Sequence, residues 1–270
     1  MTVPDPGNYR KDAVSGFLRD RRARCDPDPA SPVFDPVSDR RVAGMRREEV
    51  AWAAGISMDY YVKLEQGRML NPSPAVLENI MDALRLSDLD RRYLGLLFGD
   101  AVAPVTRTTA QESGRARSTL DEVAAQFPDA TMRHLLDRDL GLVLADARTR
   151  EIMFPGSGEA PSQVSLVDYM FSPAYRGFSR RVYVDWRDKA AEVTGLVHMK
   201  MATGVATENL VSTVARLLGD PAFRRLWTCY EPYENTSGSW RVSIDGRVRT
   251  CRYITVTAPD DPEQSLVIYR

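Results

Sequence analysis

The amino-acid sequence predicts two domains of different fold class, an all-α domain of five helices followed by an α+β domain. The chain has 270 residues, which is enough for two cored domains of roughly 100 to 150 residues each. Apolar residues recur at helical spacing in the first part of the chain, and the alternating pattern of strands appears only later. These observations place an all-α domain at residues 1–102, a linker at 103–118 and an α+β domain at 119–270.

Five short helices account for the first domain. Residues 11–24 carry an apolar face and end before a loop that contains four prolines. Two short helices follow, and Gly55 separates them. Ser73 is suited to be the N-cap of a fourth helix with Pro74 at its first position. Ser87 begins the fifth helix.

The linker is poor in large apolar residues and rich in Thr, Ser and Arg. It therefore cannot bury enough apolar surface to become ordered by itself. Beyond it, RHLLD and LGLVLAD indicate paired strands. The segments RVSIDGRVRTCRYITVTA and QSLVIYR indicate a closing antiparallel meander that turns at Asp245 and Gly246. Helices are predicted between these strands, at 166–172, 178–200, 207–219 and 221–229.

Composition indicates a cytoplasmic protein that does not enter a membrane. No apolar run approaches the roughly 18 to 20 residues of a membrane span. The three cysteines, Cys25, Cys229 and Cys251, are odd in number and widely scattered, which is typical of a reducing compartment. The first residues contain acids and prolines where a secretory signal has an apolar stretch.

Charge favours nucleic acid only locally, because the net charge of the chain is -1. Two basic clusters stand out, at residues 10–24 and at residues 40–47. The first contains Arg10, Lys11, Arg19, Arg21, Arg22 and Arg24, and the second contains Arg40, Arg41, Arg46 and Arg47. Charge alone leaves solvated helix faces as an equal alternative.

The strongest functional signal is the spacing of a helix-turn-helix. When Arg47 is counted as the first of twenty positions, Ala51 is fifth, Gly55 ninth, Tyr61 fifteenth and Leu64 eighteenth. The fifth residue must be small where the two helices cross, and glycine suits the left-handed backbone of the turn. The last two positions must be apolar to bury the second helix, and Tyr61 departs from the usual aliphatic residue. Ser57 is well placed to cap the second helix.

These residues carry a resemblance to a known family. The segments EEVAWAAGIS and DYYVKLEQG resemble the Cro/repressor-like (xenobiotic-response-element) helix-turn-helix regulators. More narrowly, GMRREEVA, the proline-containing insert before it and the closing DDPEQSLVIYR resemble the branch whose second half is an MmyB-like ligand-binding domain. The resemblance implies a repressor-like DNA-binding domain, a PAS-like second domain, a homodimer and regulation of neighbouring genes.

The same resemblance implies which side chains meet double-stranded operator DNA. Arg47 and the outward residues of the second motif helix, Ser57, Met58, Asp59 and Lys63, are expected at the major groove. Arg46, Arg68 and Asn71 are expected at phosphates. Two cases stay open. Arg40 and Arg41 either reach a neighbouring minor groove or belong to a solvated loop, and Tyr60 either contacts the groove or packs inward.

The second domain is rich in soft and aromatic side chains, which suit either a plain core or the wall of an apolar pocket. The family resemblance implies a small, apolar or lipid-like ligand. The candidate contacts are Met132, His134, Met153, Phe154, Tyr169, Met170, Met199, Trp227, Tyr230, Trp240 and Tyr253. His134 is alternatively a hydrogen-bonded core histidine. Where the family has a Trp-Asn-like pair after its second strand, this chain has Asp146 and Ala147.

Catalysis has little support, since the sequence offers two histidines, no cysteine pair with metal-ligand spacing and no phosphate-binding loop. No cofactor or metal is predicted. The sequence therefore predicts a transcription regulator whose operator affinity responds to a small molecule. The alternatives are a DNA-binding protein whose second domain is only a dimerisation or docking scaffold, and an enzyme with a DNA-binding appendage.

Overall fold

The computed structural model describes residues 6–34, 44–99, 109–144, 146–157, 164–204 and 206–270. The chain divides into two compact units. The first unit contains the chain up to Pro104 together with the segments Val197–Val205 and Arg225–Tyr233. The second contains Val105–Leu196, Ala206–Arg224 and Glu234–Arg270. Both units are therefore discontinuous in sequence.

Five helices and no strand form the described N-terminal part of the first unit, as the sequence predicts. They are α1 Pro6–Arg24, α2 Arg47–Ala53, α3 Met58–Glu65, α4 Pro74–Ala83 and α5 Asp88–Phe98. The predicted caps are also confirmed. The hydroxyls of Ser57, Ser73 and Ser87 each accept a hydrogen bond from a backbone amide in the first turn of α3, α4 and α5.

Helix α1 supplies the centre of this unit, where Phe17 and Leu18 are fully buried. Arg21 and Arg22 continue the same helix face and are themselves only 7% exposed. Arg21 donates to Asp90 at 2.8 Å, and Arg22 donates to Glu65 at 2.7 Å. The basic cluster at 10–24 is therefore not a uniformly solvated face, because two of its arginines are buried in ion pairs.

A hydrogen-bonded chain of rings joins the N-terminal helices to the later segments of the first unit. The Tyr9 hydroxyl lies 3.0 Å from that of Tyr93 and 2.9 Å from His198 Nδ1. His198 Nε2 lies 3.0 Å from the carbonyl oxygen of Trp227, and the two rings stack at 4.3 Å. Burial lowers the pKa of His198 to about 3, so the ring is neutral at pH 7. Because a carbonyl only accepts, Nε2 donates and Nδ1 accepts from Tyr9.

A five-stranded antiparallel sheet organises the second unit. Its strands are β1 Met132–Leu136, β2 Leu142–Leu144, β3 Ser237–Ile244, β4 Arg247–Ala258 and β5 Asp261–Tyr269. Their order across the sheet is β2-β1-β5-β4-β3. The paired strands, the closing meander and the turn at Asp245 and Gly246 are all confirmed. Both turn residues have positive φ, at 50° and 74°, as a two-residue hairpin requires.

Seven helices accompany the sheet among the described residues. They are α6 Ala110–Ala125, α7 Ala147–Met153, α8 Leu166–Phe171, α9 Arg176–Val182, α10 Trp186–Ala202, α11 Glu208–Leu217 and α12 Pro221–Trp227. This arrangement confirms the α+β class. In the part of the chain that the structure describes, no helix has the length and apolar character that crossing a membrane requires.

Two helix predictions need correction. The single helix expected at 178–200 is two helices, since Tyr183 pairs with Val242 of β3 and the amide of Val184 donates to the carbonyl of Arg241. These strand-like contacts interrupt the helix. Helix α7 was not predicted, and it begins where Asp146 caps it by accepting from the Thr149 amide at 2.7 Å.

Helix α6 begins inside the stretch that the sequence analysis assigned to a linker. Thr109 and Glu112 form a reciprocal capping box at its start. Its small apolar residues then pack on one face of the sheet, in a cluster that contains Ala116, Leu120, Ala124, Leu135, Leu266 and Ile268. Residues 110–118 are therefore helical, because the sheet supplies the apolar surface that the stretch lacks by itself. Residues 103–108 lie outside the described residues.

We expect Leu120→Ala to lower the free energy of unfolding of the second unit by about 2–5 kcal/mol, because it removes a side chain from the interface of α6 with the sheet. Denaturant unfolding followed by circular dichroism measures this change. The exposed neighbour provides the control, and Ser118→Ala should change the free energy by no more than about 0.5 kcal/mol. Equal effects of the two substitutions would contradict the packing of α6.

Candidate DNA-binding and ligand-binding sites

The helix-turn-helix is formed by α2, the turn at residues 54–57 and α3. Ala51 is 2% exposed where the helices cross, and Gly55 adopts the left-handed backbone with φ +65°. Tyr61 and Leu64 are fully buried beneath α3. Each position of the predicted spacing thus has the environment that it requires. Tyr61 is accommodated in the core beside the side chains of Arg22 and Glu65.

The outer face of α3 presents several kinds of chemical group to solvent. Ser57, Met58, Asp59 and Lys63 are exposed, with Met58 at 53%, and Tyr60 is half-buried. The ammonium of Lys63 lies 2.7 Å from the carboxylate of Asp59, one helical turn away. This face therefore offers a cation, an acceptor and an apolar thioether along one edge, which are the groups that read bases in a major groove.

The residues expected at phosphates flank this face. Arg68 and Asn71 are exposed after the C-terminal end of α3. Arg47, which is expected at the major groove, is exposed in the first turn of α2. Arg46 is half-buried before α2, where its backbone amide donates to Glu49 at 2.6 Å. Arg40 and Arg41, also predicted DNA contacts, lie outside the described residues.

Glu65 joins the helices of this motif, and it was not among the residues predicted from the sequence. Its carboxylate is 1% exposed and lies 2.7 Å from Arg22 of α1 and 2.7 Å from Arg47 of α2. Burial alone would raise the pKa of Glu65, but the hydrogen bonds and charges of the two arginines lower it below its usual value. The available signal was Arg22, which continues the apolar face of α1 at helical spacing.

The predicted ligand contacts fall into both units. Met199, Trp227 and Tyr230 belong to segments of the first unit, and the others belong to the second unit. Trp227 and Tyr230 pack on His198, with ring centroids 4.3 Å and 5.4 Å away. The structure therefore does not gather all the predicted residues in one domain. The sequence could not show this, because the segments at 197–205 and 225–233 carry no signal for the unit they join.

One group of predicted residues in the second unit lies at α7 and α8. The Tyr169 hydroxyl donates to the carbonyl of Met153 at 2.7 Å, and its ring meets Phe154 edge-on at 5.1 Å. Met170, which follows Tyr169 in the sequence, is fully buried. Every polar group named here has a partner, which is the arrangement of an ordinary core.

A second group lies on the sheet face opposite α6. Met132, His134 and Tyr253 alternate with residues that face α6, and Trp240 pairs in register with Cys251 of the same face. Gly238, the cross-strand partner of Tyr253, has no side chain, and a Cβ there would lie 2.9 Å from the tyrosine ring. The glycine therefore lets the ring of Tyr253 lie over the strand.

The buried ammonium of Lys189 lies among these rings. Lys189 is 3% exposed, and its Nζ lies 5.1 Å from the ring centre of Trp240 and 5.4 Å from that of Tyr253. Glu192 accepts its hydrogen bond at 3.0 Å. Burial lowers the pKa of Lys189 despite this carboxylate. Lys189 was not among the predicted site residues, although its spacing of four and eight residues before the buried Val193 and Val197 places it on an apolar helix face.

The departure from the family pattern at Asp146 has a structural account. Besides capping α7, the Asp146 carboxylate accepts from Arg133 Nε at 2.9 Å. Burial opposes ionisation of Asp146, but the hydrogen bonds from Thr149 and Arg133 lower its pKa below the usual value. A charged residue in this position is thus part of a local ion pair between β1 and α7.

The geometry of α2 and α3 defines a DNA-binding helix-turn-helix protein, and residues 13–94 match the family model described as a helix-turn-helix domain. Residues 134–270, half of the chain, match the model of the MmyB-like transcription regulator ligand binding domain. The chain belongs to this family of transcription regulators, which are not enzymes. The family resemblance drawn from the sequence is confirmed. No curated protein matches the chain. The described residues contain no group of three or more metal-ligating side chains that could hold a metal ion.

We expect Glu65→Gln to destabilise the helix-turn-helix by about 3–5 kcal/mol, because it leaves the buried charge of Arg22 unpaired. Since the folded-state pKa of Glu65 is lowered, its stabilisation is present above the unfolded value of about 4.3 and is lost as the pH falls through the folded value. Unfolding measured between pH 7 and acid should therefore show a shallower decline for the variant.

The matched control is Glu48→Gln on the exposed face of α2, whose effect should stay within about 0.5 kcal/mol. A Glu65→Gln protein that unfolds like this control at neutral pH would mean that the Glu65 carboxylate does not hold the helices together.

Proposed function

We propose that this protein is a cytoplasmic, homodimeric regulator that binds operator DNA through α3, and that a small, mostly apolar molecule bound by its second unit controls the affinity. The single observation that carries the DNA-binding part is the exposed face of α3 over a buried helix-turn-helix core. Met58, Asp59 and Lys63 project from that face, and the buried Tyr61 and Leu64 hold the opposite face on the unit.

The charges around α3 support two kinds of DNA contact. Lys63 and Asp59 form an exposed ion pair with each other and, among the described residues, with no core residue. Lys63 can therefore donate to a base edge, and Asp59 can accept from one, without loss of a core interaction. Arg68, Asn71 and Arg46 lie at the ends of the motif, where phosphate contacts set the register of a protein on the duplex. Arg47 is 45% exposed although it contacts Glu65, so its guanidinium still has a solvent-facing side.

We expect the intact protein to protect two half-sites that are related by a two-fold axis and centred about one helical turn of DNA, or a multiple of it, apart. A dimer presents two copies of α3, and operator symmetry follows from protein symmetry. Footprinting on DNA fragments selected by the pure protein measures the spacing. Protection of a single half-site would contradict the dimeric arrangement.

We expect Lys63→Ala and Met58→Ala to change which operators are preferred, each by about 1–3 kcal/mol, because both side chains face the bases. Arg68→Ala is the matched comparison, and it should weaken all duplexes alike while reducing the salt slope by about 1. Binding to an operator library at several salt concentrations separates the two effects. If Lys63→Ala leaves the ranking of operators unchanged, α3 does not read the bases.

Control by a ligand is supported by helix α10, whose residues are divided between the two units. Its first part, with Lys189, belongs to the second unit, and its last part, with His198, belongs to the first unit. A molecule that binds beside Lys189 therefore acts on the same helix whose other end completes the core of the DNA-binding unit. Such a molecule changes operator affinity only if it binds the DNA-competent and DNA-incompetent states differently.

The second candidate function is a scaffold, in which the second unit only dimerises or docks another protein. The α7 and α8 group favours it, since its rings pack as a plain core. The ligand-binding proposal differs from it in requiring a bound small molecule that alters DNA affinity.

We expect the purified protein to carry a small molecule that mass spectrometry of a denatured extract identifies. Removing it and adding it back should change operator affinity by about 5- to 150-fold, which is the usual size of allosteric coupling. An operator affinity that stays constant through this titration would favour the scaffold.

A further inference from the structure

Unpartnered polar atoms are concentrated on the sheet face that carries Lys189. Among the described residues, His134 Nδ1, Trp240 Nε1 and Thr255 Oγ1 are buried without a hydrogen-bond partner. His134 and Thr255 lie in one row across the sheet, because both are in register with Val267 of β5. The three side chains therefore belong to the same face as Tyr253. A buried polar group without a partner destabilises the folded state, and an occupant with matching atoms would offset that cost.

Trp240 Nε1 and Thr255 Oγ1, together with the ammonium of Lys189, have hydrogens that require an acceptor. The indole Nε1 of Trp240 only donates, and a threonine hydroxyl also has a hydrogen to give. Lys189 has three ammonium hydrogens, of which Glu192 accepts one. The neutral His134 ring carries one N–H, since burial and the nearby charge of Lys189 lower its pKa to about 3. Donors therefore outnumber acceptors on this face.

The charge of the face is already balanced. Lys189 and Glu192 form an ion pair at 3.0 Å, with their side chains 4% and 17% exposed. An anionic occupant would bury one negative charge without compensation, which is far more costly than burying a neutral dipole. A carbonyl oxygen satisfies the donors, and its dipole points favourably at the ammonium without adding a net charge.

The surrounding side chains favour a flat aromatic body over an alkyl chain. Lys189 Nζ lies within 5.7 Å of the ring centres of Tyr183, Trp240 and Tyr253. The ring centre of Tyr269 lies 5.5 Å from that of Tyr253 and 5.8 Å from that of His134. A further aromatic ring that stacks on these rings, or meets them edge-on, forms favourable aromatic pairs at such separations.

From this juxtaposition we propose that the sheet face around Lys189, with Trp240 Nε1 as a donor, binds an uncharged aromatic molecule through its carbonyl oxygen. This inference rests on the proposed function, because it names the ligand class of the sensing unit.

Equilibrium dialysis of the full-length protein with matched small probes tests the proposal. Acetophenone has the aromatic ring and the neutral carbonyl. Benzoate replaces the ketone with a charge, cumene removes the oxygen, and cyclohexyl methyl ketone removes the aromaticity. Acetophenone should bind about tenfold or more tightly than each of the other three. Decanoate, a flexible anion, should also bind more weakly. Tighter binding of benzoate or decanoate, or no binding of acetophenone, would overturn the proposal.

Trp240→Phe keeps a ring and removes the N–H, so it should weaken acetophenone binding by about tenfold while leaving the binding of cumene unchanged. Thr255→Val removes the hydroxyl at nearly constant shape and should weaken acetophenone in the same direction. The matched control is Trp186→Phe, because the Trp186 N–H already donates to Ser179 at 2.9 Å. This variant should bind acetophenone as the unchanged protein does. Equal binding by Trp240→Phe, Thr255→Val and this control would also overturn the proposal.

Operator binding measured with and without acetophenone separates the two levels of inference. If acetophenone binds in a manner that depends on Trp240 but leaves operator affinity constant, the site is correct and the proposed control of DNA binding is wrong. If decanoate changes operator affinity and Trp240→Phe responds equally, the control is correct and this site is wrong.

Discussion

The DNA-binding motif depends on one buried carboxylate. Glu65 ends α3, and its two oxygens take hydrogen bonds from α1 through Arg22 and from α2 through Arg47. Three helices thereby meet at one carboxylate, which acts together with the buried Tyr61 and Leu64 to set the direction of the exposed face of α3. The same carboxylate removes Arg22 from the positive surface that the basic sequence cluster suggests. It leaves Arg47 partly exposed, so that one of the two arginines on this carboxylate is buried and the other stays accessible.

The sequence predicts the local structure of this chain well because much of it is set by short-range chemistry. Serine caps, the glycine at the turn of the helix-turn-helix and the Asp-Gly hairpin each act over a few residues, and all are observed. The positions of Tyr61 and Leu64 follow from periodicity, and both are buried. The family follows from the same local motifs.

The predictions that failed depend on partners far away in the chain. Helix α6 is polar by composition, and its order depends on strand residues that include Leu135 and, about 150 positions later, Leu266 and Ile268. The break before α10 arises because Val184 donates to the distant β3. Trp227 looks like a pocket residue in sequence, but its place is beside Tyr9 and His198. Lys189 is inconspicuous until the rings of β3 and β4 enclose it. The spacing of Lys189 along α10 indicates that it is buried, but the identity of the rings that surround it depends on residues more than 50 positions later.

The discontinuity of the first unit bears on how the protein is made. Tyr9 and Tyr93 leave the ribosome early. His198 and Trp227, which complete their series of hydrogen bonds, are synthesised more than 100 residues later. At about 5 to 20 residues per second, the roughly 135 residues from the end of α5 to Tyr233 take some 7 to 27 s to synthesise. During that time the core around α1 lacks its last side chains. A nascent chain therefore acquires the finished core of its first unit only after most of the second unit has been translated.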